Sequence, residues 1–122
     1  MTRYDIINRF ISARGYKRYL EIGTKHGDCL TRVNAKVRIS VDPDPQSVAS
    51  YVMTSDEFFL MTQLTPTMEG EFCPDIIFID GLHEHNQVYR DIENALAILS
   101  PGGVIILHDC LRWRSVSGYG CL

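Results

Sequence analysis

At 122 residues the chain has room for one domain with one core. Its apolar fraction of 45% and charged fraction of 22% are ordinary for a soluble globular protein, and a net charge of −3 gives no electrostatic footprint for nucleic acid or an anionic membrane. No apolar run is long enough to span a bilayer, residues 1–14 lack the apolar stretch of a signal peptide, and four cysteines (Cys29, Cys73, Cys110, Cys121) in no paired spacing lead us to expect free thiols in a reducing cytoplasm.

In chain order, Tyr4, Ile7, Phe10 and Ile11 fall at helical spacing over residues 4–14, and Gly15 follows as a natural stop. Residues 19–22 read as a short strand that ends in a glycine turn. Asp28 is placed to cap a short helix containing Leu30 and Val33. Residues 37–41 alternate as a second strand, which Asp42-Pro43 ends. Residues 51–53 give a third, edge strand. A helix through Leu64 follows, with Thr54 and Glu57 at capping-box spacing. Pro66, Gly70 and Pro74 mark a loop. Residues 76–79 form a continuous apolar run, as in a strand buried on both faces. Residues 86–99 make the clearest helix, with Val88, Ile92, Ala95, Leu96 and Leu99 in one stripe and Arg90, Asp91, Glu93 and Asn94 off it. Ser100-Pro101-Gly102-Gly103 ends that helix, and residues 104–107 are a fifth strand. We expect a polar tail after Trp113.

Strands alternating with helices require right-handed crossovers and a mostly parallel sheet. Ligands of such sheets bind beyond the carboxyl ends of the strands, so the informative residues follow each strand. In Glu21-Ile22-Gly23-Thr24-Lys25-His26-Gly27, two glycines permit a tight strand-to-helix turn. The next helix N-terminus would offer N–H groups to an anion. Glu21 would repel a pyrophosphate, but would attract a ligand bearing an ammonium and a sulfonium. Asp42, about 20 positions beyond Gly23, stands where a carboxylate accepts from ribose hydroxyls. It also suits a simple Asp-Pro turn. Ser55 and Asp56 are placed to reach an adenine edge or to cap the helix that they begin.

Glu21-x-Gly23-x-x-x-Gly27, then Asp42, then residues 75–83 ending Asp80-Gly81-Leu82-His83, then residues 101–109 ending His108-Asp109, occur in that order. Together they resemble class I S-adenosylmethionine-dependent methyltransferases, and most closely the Asp-Gly-x-His subgroup related to the macrocin and catechol O-methyltransferase types. The resemblance covers about residues 16–113. It implies an α/β, Rossmann-like, mostly parallel sheet of about five strands in the order 3-2-1-4-5. Helices would lie on both faces, without the C-terminal strand hairpin usual in the family. Residues 1–122 would be a single S-adenosylmethionine-binding domain.

For the site, the resemblance implies that Glu21, Gly23, Thr24, Lys25 and Gly27 surround the methionyl part and Asp42 binds the ribose. Ser55, Asp56 and Asp80 would complete the cofactor site. Lys25 stands where many members have a third glycine. In catechol-type enzymes, acids after the fourth and fifth strands hold a divalent metal; here these are Asp80 and Asp109, with His108 as a further ligand. Cys110 replaces the usual Asn, and a thiol is a poor ligand for a hard cation. His83 is the expected base for a hydroxyl nucleophile, since histidine titrates near neutrality. Asp80, His83 and Asp109 are thus the expected catalytic set. A zinc site from His83, His85 and His108 lacks an established spacing.

The expected activity is O-methylation of a small molecule, by the chain alone, as a homo-oligomer, or with a completing partner subunit. The alternatives are a non-catalytic module that binds S-adenosylmethionine or S-adenosylhomocysteine, a truncated methyltransferase core, and a nicotinamide-dinucleotide dehydrogenase core. Glu21 and the lack of a tight G-x-G-x-x-G argue against the last.

Overall fold

The computed structural model of the chain describes residues 1–24, 27–64, 73–80, 85–108 and 113–116, with His85 and residues 113–116 described by backbone alone. The expected calls on Lys25, His83 and Asp109 lie outside these residues, as do Cys110 and Cys121.

The elements, in order, are α1 (Arg3–Arg14), β1 (Arg18–Ile22), a single 3₁₀ turn (Leu30–Arg32), β2 (Val37–Asp42), β3 (Tyr51–Val52), α2 (Ser55–Leu64), β4 (Ile76–Ile79), α3 (His85–Ile98), β5 (Val104–His108) and β6 (Trp113–Val116). They form a sheet in the order β3-β2-β1-β4-β5-β6. The first five strands are parallel in the expected order 3-2-1-4-5. The sixth was expected only as tail: it runs antiparallel to β5, Leu107 opposite Arg114 and His108 opposite Trp113.

Each element forms for a local reason. The Thr2 hydroxyl accepts from Asp5 N while the Asp5 carboxylate accepts from Thr2 N, a reciprocal cap that starts α1. Thr54 and Glu57 do the same for α2, as their spacing predicts. β4 is apolar at all four positions because both its faces are covered. On one face Leu20, Ile22, Ile77, Ile79 and Ile105 meet Phe58 and Phe59 of α2 and Ala95 of α3, with Leu99 just beyond α3. On the other, Tyr19, Ile76, Phe78 and Ile106 meet Ile7 and Ile11 of α1. Helices therefore lie on both faces, as expected.

Three expectations change. The short helix after Asp28 is one 3₁₀ turn with Cys29 at its N-cap and no side-chain cap, so Asp28 does not cap it. Asp91, expected off the buried stripe of α3, is 1% exposed. Cys29 is a free, buried thiol, but Cys73 is disulfide-bonded, against the expectation of four free thiols; its partner lies outside the described residues. No helix among the described residues is long and apolar enough to cross a membrane.

Candidate functional site

The alternation of a strand sends Tyr19 and Glu21 to the face covered by α1. Glu21 is 1% exposed at the carboxyl end of β1. A buried carboxylate requires partners. The Tyr19 hydroxyl donates to Glu21 Oε1, and the Cys29 thiol lies 3.8 Å from the same hydroxyl. Burial holds the Glu21 pKa above the usual carboxylate range; the Tyr19 bond, Cys29 and Thr24 oppose this, while the Asp80 charge adds to it. Burial likewise raises the Tyr19 phenol and pushes the Cys29 thiol up to about 12, with the Glu21 charge adding to both.

Beyond Glu21 the backbone turns through Gly23, at φ 92°, whose N–H donates to Val41 O at 2.8 Å. A positive φ favours glycine. Thr24 is 5% exposed, and its Oγ1 has no hydrogen-bond partner among the described residues. Gly27 also has positive φ, and a Cβ there would come within 2.6 Å of Val48 Cγ2. Its lack of a side chain thus serves packing against Val48.

Arg3, Glu21, Gly23, Thr24, Asp28 and Asp80, over a floor that includes Phe78, line a cleft of about 210 Å³. α1 returns at Gly15 to the start of β1, so its first residue lies over the carboxyl ends of the strands. From there Arg3 reaches Asp80, which directly follows β4: one guanidinium nitrogen lies 2.6 Å from Asp80 Oδ2. The other carboxylate oxygen lies 3.0 Å from Nδ1 of His108, the last residue of β5. Parallel neighbours bring Asp80 and His108 together. Arg3 was not anticipated; the signal available was a helix antiparallel to the first strand, which must begin at the ligand end of the sheet.

The described residues do not fit a divalent metal. No group of three or more His, Cys, Asp or Glu among them could hold one. Asp80, the central expected ligand, is engaged on both oxygens, and the Arg3 cation beside it would repel a dication.

The remaining expected residues sit elsewhere. Asp42, 6% exposed at the end of β2, accepts from Asp44 N at 2.9 Å, so its turn-forming role is realised. Ser55 donates to Asp91 at 2.6 Å, and Asp56 pairs with Arg90 at 3.3 Å and Gln87 at 3.2 Å. Both tie α2 to α3. A larger groove of about 580 Å³ along α1, between Asp5, Asn8, Arg9 and Ser12, contains no buried polar group and is the weaker candidate.

Residues 20–110 match the model of a family described as a methyltransferase domain. No curated protein matches the chain. Among solved structures, the fold is similar to TomG, an O-methyltransferase from Streptomyces achromogenes involved in tomaymycin synthesis, solved in complex with S-adenosylmethionine; identity is 14%, the TM-score is 0.61, and the match covers 86% of this chain and 54% of that one. The chain therefore spans about half the length of the solved structure it matches.

Proposed function

The chain belongs to the family of methyltransferase domains, and from that premise we propose that it binds S-adenosylmethionine at the carboxyl ends of β1 and β4 and serves O-methylation of a small molecule. The observation that carries this reading is the pairing, in one cleft, of a buried acid, Glu21, with the buried Thr24, whose hydroxyl has no hydrogen-bond partner among the described residues. A buried polar atom left unbonded costs free energy unless a ligand satisfies it. An acid in a dry site meets an ammonium or sulfonium without competition from water. These groups fit a cationic, amino-acid-bearing ligand and oppose a pyrophosphate.

When bound, S-adenosylmethionine supplies a methyl group activated by its sulfonium. The chain supplies placement, which is most of what such a displacement needs. In this proposal Glu21 faces the cationic end, Gly23 lets the backbone turn beside it, and the Thr24 hydroxyl bonds the ligand. The Asp42 carboxylate accepts from the ribose. Asp80, with His83 and Asp109, borders the place of the methyl acceptor, and His83 takes the proton from its hydroxyl. No step is assigned to a metal.

The test is product formation from S-adenosylmethionine over a panel of phenols and sugars. Methylated product that disappears in Glu21→Ala supports the reading. Tight S-adenosylmethionine binding with no product on any acceptor would favour the non-catalytic module instead.

A further inference from the structure

A bound S-adenosylmethionine presents a carboxylate as well as an ammonium, and the sequence assigns that carboxylate to a helix N-terminus after Gly27. The structure gives it no such helix: the element is one 3₁₀ turn of three residues. Among the described residues the cleft wall is otherwise hostile to an anion. Of its described lining residues, Glu21, Asp28 and Asp80 are acids, and Arg3 is the sole cation.

Arg3 has capacity to spare. A guanidinium carries five N–H donors in a rigid fork. Only one of its nitrogens is bonded among the described residues, to Asp80 Oδ2 at 2.6 Å. Its side chain is 37% exposed, so the remaining donors are within reach of a ligand in the cleft. Asp80, itself held by His108 at 3.0 Å, anchors the guanidinium through one nitrogen.

We infer that Arg3 is the carboxylate-binding residue of the site. With Glu21 it forms a charge-complementary pair, the acid for the ammonium and the arginine for the carboxylate. Together they select a ligand whose end is a zwitterionic α-amino acid. The inference rests on the S-adenosylmethionine reading above but is separable from it. Arg3 lies outside residues 20–110, so the family match does not assign it a role.

The experiment is calorimetric titration of the whole chain with S-adenosylmethionine and with its decarboxylated analogue, which keeps the ammonium, sulfonium and nucleoside. Wild type is expected to prefer S-adenosylmethionine by about ten- to a hundredfold, the range of a charge-assisted bond. In Arg3→Met the two affinities should converge, mainly by loss of S-adenosylmethionine affinity. Arg3→Lys, which keeps the charge but loses the fork, should retain part of the preference. If wild type binds both ligands equally, or if the preference persists in Arg3→Met, the inference is overturned while the cofactor reading stands. Binding of neither ligand by wild type overturns the cofactor reading itself. Should Arg3→Met fail to fold, the wild-type preference and Arg3→Lys decide.

Discussion

Tyr19 and Glu21, two residues apart on β1, share one face of the sheet, and the Tyr19 hydroxyl donates to the Glu21 carboxylate where both side chains are almost dry. A strand designed only for stability would place an apolar residue at position 21, as β4 does at Phe78 in the same register. The acid carries a cost, and that cost has a pH signature. Because the folded pKa of Glu21 is raised above its ordinary value of 4.5, the charged form is disfavoured by folding. Its penalty is absent below the ordinary carboxylate range and grows as pH rises through the folded pKa.

Glu21→Gln should therefore raise the melting temperature near neutral pH and change it little in acid. The same substitution should weaken S-adenosylmethionine by about ten- to a hundredfold, since it removes a charged partner. Thermal melts across pH, paired with calorimetry, check both. A variant less stable than wild type at neutral pH would show that the Glu21 charge supports the fold.

Cys29 should be chemically silent in the folded protein. Its thiol is buried, and its pKa of about 12 leaves almost no thiolate near neutrality. Iodoacetamide labelling followed by mass spectrometry should modify Cys29 only after denaturation. Rapid labelling of the native chain would contradict the packing around Tyr19 and Glu21.

Asp91→Ala should destabilise the chain by about 1–3 kcal/mol, because it leaves the part-buried Ser55 hydroxyl without its acceptor and removes one of the acceptors of Gln87. Ser55→Ala in the same background should then cost much less than in wild type, as expected for two groups in one network. Denaturant unfolding of the two single variants and the double variant measures the coupling. Additive losses would mean that Ser55 and Asp91 act independently.

Asp42→Ala should lower S-adenosylmethionine affinity by about ten- to a hundredfold if its carboxylate serves the ribose. The bond from Asp44 N to Oδ1 at 2.9 Å means that some stability is lost too, so Asp42→Asn is the cleaner comparison. The amide can keep the turn while losing the charge. Unchanged affinity in Asp42→Asn with an intact fold would leave Asp42 a turn residue only.

Much of the architecture is legible in the sequence because its period is clear. The continuous run at Ile76–Ile79 and the helical stripe of Ala95 and Leu99 specify which faces are covered, and the glycine and Asp-Pro breaks mark the strand ends. Those breaks also locate the ligand end of the sheet, which is why Glu21, Thr24 and Asp80 are found together. What escapes is what depends on distance along the chain. Arg3 and Asp80 are 77 positions apart, and only the antiparallel packing of α1 brings them into contact. Asp91 reads as solvated because its burial is set by Ser55 on another helix. The four residues of β6 carry no alternation strong enough to separate a short strand from a tail, and pairing with β5 decides it. The turn at Leu30–Arg32 falls short of a helix because it has no side-chain cap and too few residues to build one.

The central claim is that this chain holds S-adenosylmethionine in the cleft between Arg3, Glu21 and Asp80, and calorimetric titration of the purified chain tests it most directly. The account predicts one saturable site for S-adenosylmethionine and for S-adenosylhomocysteine, no heat from a nicotinamide dinucleotide, and a loss of about tenfold or more in affinity in Glu21→Gln. Dinucleotide binding in place of S-adenosylmethionine, or S-adenosylmethionine binding untouched by Glu21→Gln, would contradict it.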